Sequence, residues 1–184
     1  MIALVDMDGT LCNYEGELEA QLFNLLGVSV SPHDKKYTKL VDLIKRQDGF
    51  WRNLPPLPVG FTILDFLKDA GFDIHILTKG PYRTTSAWTE KVEWCRRYLP
   101  GTPVTITENK GMVYGRILVD DWPSYCESWL QFRPRGLVLM PAYDYNEGFD
   151  SKYPGQVVRV TSTNWKEVKS AIDRAANRLS GEPL

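Results

Sequence analysis

The chain opens on an uninterrupted apolar run, Met1-Ile-Ala-Leu-Val5, that stops at the carboxylate of Asp6. So sharply bounded a run predicts a strand over residues 1–6, buried on both faces as parallel strands are. The pattern then turns helical. Leu18, Leu22, Leu25 and Leu26 recur at helical spacing across 16–27, with Gly27 as the expected stop. Tyr37, Leu40, Val41 and Ile44 repeat that spacing across 34–47, opened by Ser31, Pro32 and Asp34. The stretch 48–58 is aromatic and proline-rich and predicts a hinge or return connection.

From residue 61 helical and strand-like patterns alternate. Helices are expected over 61–70, 84–98, 123–132 and 165–179. Strands are expected over 72–78, 103–107, 116–120 and 136–140, with a candidate edge strand over 157–160. This alternation predicts an α/β fold built on a doubly wound, mostly parallel sheet. Residues 14–58 interrupt it and are too few for a large domain, so they are expected to form a small helical cap inserted after the first strand. The sheet domain then comprises 1–13 and 59–184.

Composition narrows the field. A chain of 184 residues with 43% hydrophobic content suits one well-packed core. Its formal net charge of -1 gives no electrostatic reason to bind a long nucleic acid or a membrane surface. No segment has the apolar length of a membrane span, and the start lacks the basic region of a signal peptide. Cys12, Cys95 and Cys126 form neither a CxxC pair nor a disulfide framework, so a reducing, cytoplasmic location is expected.

The candidate chemistry sits where strands end. Asp6 and Asp8 follow the first strand, and alternate strand positions share a direction, so both can converge on one cation or substrate. Thr78, Lys79 and Gly80 end a second strand; Asp120 and Asp121 end another, and Lys110 lies just before it. In a parallel sheet these ends share one edge, where open α/β sheets bind their ligands. The set suits phosphoryl transfer. Mg²⁺ takes oxygen ligands, here Asp6, the backbone carbonyl of Asp8, and Asp120 or Asp121. An Asp nucleophile can carry the phosphoryl group while a second carboxylate moves the proton. Thr78, the backbone near Lys79 and Gly80, and Lys110 are the candidate phosphate ligands.

Asp6-Met-Asp8-Gly-Thr10, Thr78, Lys110 and Asp120-Asp121 resemble, in order, the four motifs of the haloacid dehalogenase-like (HAD) phosphatase superfamily. The resemblance covers the sheet domain and implies that superfamily's core fold, a nucleophile at Asp6, a general acid/base at Asp8, phosphate binding by Thr78 and Lys110, and Mg²⁺ as cofactor. A narrower resemblance is to the 5'(3')-deoxyribonucleotidases. It rests on the opening through Tyr14 and Glu15 and on the aromatic, proline-containing return at Phe50-Trp51 to Pro58. It implies nucleoside monophosphates as substrates, with the aromatic side chains of the insertion around base or sugar. Lys79 stands where those enzymes often carry a serine.

Other readings stay open beside these. Asp120 or Asp121 can cap the helix that Pro123 starts, while the other binds metal. Tyr14, Phe50 and Trp51 either meet the substrate or fill the core beneath the insertion. Lys79 either binds phosphate or faces solvent, and the aromatic stretch 143–149 either covers the site or forms a surface turn. Alternative functions are a phosphatase for another small ester or a nucleic-acid 3'-phosphate end, and a non-catalytic nucleotide-binding module.

Overall fold

The apolar start of the chain becomes the centre of a sheet. In the computed structural model, which describes residues 1–179, β1 (Ile2–Val5) lies parallel between β2 (Asp73–Lys79) and β4 (Ile117–Val119). β3 (Val104–Thr107) pairs outside β2, and β5 (Leu137–Pro141) and β6 (Val157–Val160) continue beyond β4. The six strands run parallel in the order β3-β2-β1-β4-β5-β6. The order reverses between β1 and β4, and in such sheets the crevice at that reversal is the ligand site.

Alternate strand residues serve two cores. Ala3, Val5, Ile76, Ile117 and Val119 pack on one face against α3 (Pro58–Asp69) and α6 (Trp165–Asn177). Leu4, Leu77, Leu118, Val138 and Met140 pack on the other against α5 (Pro123–Phe132), chiefly its buried Trp129. α4 (Ser86–Tyr98) contributes Trp94 and Cys95 to the first face.

Between β1 and α3 stand α1 (Tyr14–Leu26) and α2 (Thr38–Lys45). Asn13 caps α1 through its side chain, which accepts from Gly16 N at 3.1 Å, and Gly27 ends it at φ 71°. Leu18, Leu22, Val41, Ile44 and Leu54 of this stretch join the same apolar cluster as Met7, Leu11 and Ile63 of the sheet side. Many element ends differ from expectation by one to three residues. α3 begins at Pro58, three residues before the expected start at 61, because proline is tolerated in a first helical turn where no amide partner is needed. The segment 34–47 splits into a 3-10 turn, Lys35–Tyr37, and α2.

Candidate active site

The ladder between β1 and β4 extends one step past the strands, with Asp6 N donating to Val119 O at 2.8 Å. The chain then folds back on itself, and Met7 O accepts from Leu11 N at 2.8 Å and Cys12 N at 2.9 Å. Gly9 sits at φ 67°, and a Cβ there would lie 2.4 Å from Asp121 Oδ2. Only glycine meets both demands, so this residue lets the β1 turn close onto the end of β4.

Four carboxylates and two ammonium groups meet at this edge. Lys110, on a 3-10 turn before β4, places Nζ 2.7 Å from Asp6 Oδ1 and 2.6 Å from Asp120 Oδ2. The ammonium thus bridges Asp6 and Asp120 as a close ion pair with each. Asp120 Oδ1 accepts from Trp122 N at 2.9 Å. Lys91 of α4 places Nζ 2.5 Å from Asp8 Oδ2, 3.0 Å from Thr78 Oγ1 and 2.8 Å from Lys79 O. Asp121 accepts from Tyr145 Oη at 2.5 Å and, weakly, from Thr10 Oγ1 at 3.4 Å.

Oxygen atoms of Asp6, Asp120 and Asp121 lie within 4.8 Å of one another and are buried. Lys110 pairs with Asp6 and Asp120 and Lys91 with Asp8, while Lys79 faces the same cavity. The carboxyls respond as buried charge must. Burial, joined by the charge of Asp6, pushes Asp120 up to about 7. Burial and then the charges of Asp120 and Asp6 hold Asp121 well above the usual carboxylate range. Asp8 is raised by burial against the lowering effect of Lys91. Burial alone would lower Lys110, but Asp120 and Asp6 outweigh it and hold the ammonium firmly charged. The three clustered, buried carboxylates offer the hard oxygen donors that a metal ion could take.

A cavity of about 750 Å³ opens above these groups, within the range of small-ligand pockets. Asp6, Asp8, Asp121 and Lys79 line its floor, and Tyr14, His33 and Trp51 line it from the α1–α2 side. Tyr14 and Trp51 stack at 5.4 Å with planes 14° apart. Thr78 and Lys110 are buried behind the floor. The Lys79 ammonium lies 4.9 Å from the Tyr125 ring centroid, and a Cβ on Gly80 would lie 2.2 Å from the Trp88 ring.

One expectation needs correcting on this geometry. Phe50 does not line the cavity. It is buried in the core, edge-on to Trp51 at 5.1 Å; Trp51 is buried as well but borders the cavity. The Asp8 carboxylate stands apart from the three clustered carboxylates, since Lys91 holds it. Lys91 and Glu90 were not foreseen, and Tyr145 brings the aromatic stretch 143–149 to the site, one of the two readings left open for it. Glu90 is 3% exposed and accepts from Gly49 N at 3.0 Å, Trp51 N at 3.0 Å and Arg52 N at 3.3 Å. A signal for the first two did exist: they fall in the inward stripe of α4 with Ala87, Trp94 and Cys95, where charge is out of place unless paired.

The family described as "5' nucleotidase, deoxy (Pyrimidine), cytosolic type C protein" (NT5C) matches residues 1–178. The chain belongs to this family. As an NT5C member it is a nucleotide-directed phosphoric monoester hydrolase. Candidate 5'(3')-deoxyribonucleotidases of Bordetella bronchiseptica and Bordetella pertussis are 27% and 26% identical to it, each alignment covering 91% of this chain and 95% of the relative. The fold is shared with a candidate β-phosphoglucomutase of Thermotoga maritima, at 15% identity and a TM-score of 0.52 over 96% of this chain and 97% of the other. It is shared likewise with a phosphonoacetaldehyde hydrolase-like protein of Oleispira antarctica, at 12% identity and a TM-score of 0.50 over 100% and 95%. The NT5C match bears out the narrower resemblance drawn from the motifs, and the solved structures share the fold. Among the described residues no helix is long and apolar enough to cross a membrane.

Proposed function

We propose that this NT5C member hydrolyses nucleoside monophosphates, deoxynucleotides in preference, through a phosphoryl group carried on Asp6, with Mg²⁺ as cofactor. The observation that carries this reading is Asp6 itself: a carboxylate at the cavity floor, 2.7 Å from the Lys110 ammonium and clustered with the carboxylates of Asp120 and Asp121. Asp6, Asp120, Asp121 and the backbone carbonyl of Asp8 would hold the metal. The chemistry Mg²⁺ supplies there is neutralisation of the charge shared by Asp6 and an anionic phosphate.

This chain's own groups do the rest. An Asp6 oxygen attacks phosphorus, the ester P–O bond breaks, and Asp8 gives its proton to the departing nucleoside oxygen. Asp8 then takes a proton from water as that water attacks the phosphorus. The acyl-phosphate P–O bond breaks, freeing Asp6 and inorganic phosphate. A raised Asp8 carboxyl suits the first role, and Lys91 keeps its ionised form available for the second. Thr78, Lys110 and the backbone at Lys79 and Gly80 would bind the phosphoryl oxygens, and Lys79 faces the same cavity. Residues 14–58 act as the cap, and the stacked Tyr14 and Trp51 offer a face for base or sugar. A cytoplasmic location agrees with three free, buried cysteines.

The test is phosphate release from a panel of deoxy- and ribonucleoside 5'- and 3'-monophosphates with Mg²⁺. Deoxynucleotides should be turned over fastest; no release from any nucleotide sinks the substrate assignment. Asp6→Asn should remove turnover without disturbing the fold, and an active, correctly folded variant would overturn the nucleophile assignment.

A further inference from the structure

The connection after β5 reaches the carboxylate cluster from a side that no strand-end motif occupies. Its backbone is tightly held. Buried Asn146 donates through Nδ2 to Asp121 O and Pro141 O, both at 2.9 Å, and accepts at Oδ1 from Tyr143 N at 3.0 Å and Arg159 Nε at 3.2 Å. Tyr143 donates its hydroxyl to Gly9 O at 2.7 Å and stacks on Tyr145 at 5.1 Å with planes 7° apart. Trp122 at 5.3 Å and His33 at 5.5 Å pack against the same ring. Packed against these three rings, Tyr145 directs its hydroxyl onto Asp121 Oδ2 at 2.5 Å.

We propose that Tyr145 is a positioning residue for the divalent cation, holding the Asp121 carboxylate in the orientation that brings it to Asp6 and Asp120. The inference rests on reading those three carboxylates as the Mg²⁺ site. The need follows from electrostatics. Asp121 stands among like charges, and a short carboxylate free to rotate would turn away from them. The lysines do not restrain it: Lys110 pairs with Asp6 and Asp120, and Lys91 with Asp8. Thr10 Oγ1 at 3.4 Å is too distant to hold it alone. A neutral hydroxyl fixes the geometry without supplying a charge that would compete with the metal, as groups behind metal ligands commonly do.

The test is Mg²⁺ alone, titrated into substrate-free protein and followed by calorimetry and by thermal midpoint. Tyr145→Phe keeps the ring and removes one oxygen. It should weaken Mg²⁺ binding by roughly 10- to 100-fold, and kcat should recover when Mg²⁺ is raised to saturate the variant. Tyr143→Phe loses a hydroxyl from the same loop that does not touch Asp121, and should bind Mg²⁺ as wild type does. Asp121→Asn is the reference for a damaged site. Unchanged Mg²⁺ affinity in Tyr145→Phe beside weakened Asp121→Asn overturns the inference and leaves the metal site standing. Equal loss in both tyrosine variants overturns it too, by assigning the effect to loop packing. Wild-type affinity in Asp121→Asn overturns the metal reading and the inference with it.

Discussion

Lys91 is 1% exposed, yet its ammonium meets three oxygens, those of Asp8, Thr78 and the Lys79 carbonyl, and lies 4.5 Å from the Trp51 ring centroid. A buried lysine is tolerated only when so fully partnered. It ties the proposed proton carrier to the strand that bears Thr78. Lys91→Met keeps much of the side-chain volume and removes the charge, leaving Asp8 without its partner. Its kcat on a deoxynucleotide should fall by roughly 100-fold, the lower range for general acid–base catalysis, while circular dichroism remains that of the folded protein. A kcat within twofold of wild type would remove Lys91 from the machinery. Asp8 stands beside a motif that announces it, whereas Lys91 is one lysine among many until α4 is turned to face β2.

At the scale of elements, α4 joins two halves of the site. Glu90 and Lys91 are neighbours on its inner stripe, one gripping the turn that carries Trp51 and the other gripping Asp8. Charge-assisted bonds from three backbone amides to one carboxylate fix that turn more firmly than neutral ones do. Glu90→Gln replaces an acceptor oxygen with an NH₂ that faces amide donors, so the turn loosens and Trp51 loses its placement against Tyr14. Base stacking is worth about 1–3 kcal/mol, so KM for deoxynucleotides should rise roughly tenfold, with little change in kcat. A small aryl phosphate, which has no base to stack, should keep its KM. Equal losses on both substrates would point to damage at the phosphate site instead.

For the whole molecule, the strand order β3-β2-β1-β4-β5-β6 sets the reversal between β1 and β4, and that single fact brings Asp6 and Asp8 beside Asp120 and Asp121. The same packing hides every cysteine. Cys12 lies behind the β1 turn, Cys95 on α4 and Cys126 on α5, all three buried. Burial pushes Cys95 up to about 12 and the other two well above the ordinary thiol value. The thiolate is the reactive form, so raising pH from about 7 to about 9 would speed labelling of an ordinary thiol of pKa about 8.5. In the native protein a thiol reagent should label none of the three across that range, and denaturant should expose all of them. Fast labelling of the native chain would contradict the packing around both faces of the sheet.

The sequence alone determined the six strands, the helical stretch between the first two and the carboxylates at strand ends, because each is written in local terms. Apolar runs, helical spacing and carboxylates at the stop of a run need no distant partner to be recognised. Asp6, Asp8, Thr78, Lys110, Asp120 and Asp121 were legible on those grounds. Tertiary structure decided which side chains face the cavity and which support those that do. It set Trp51 at the cavity wall and Phe50 behind it, although the two are adjacent, both buried and chemically alike. It also brought in Lys91 from 83 positions beyond Asp8, and Tyr145 from 24 beyond Asp121. Contacts across such separations follow from the packing of helices and loops on the sheet, which a one-dimensional pattern does not contain.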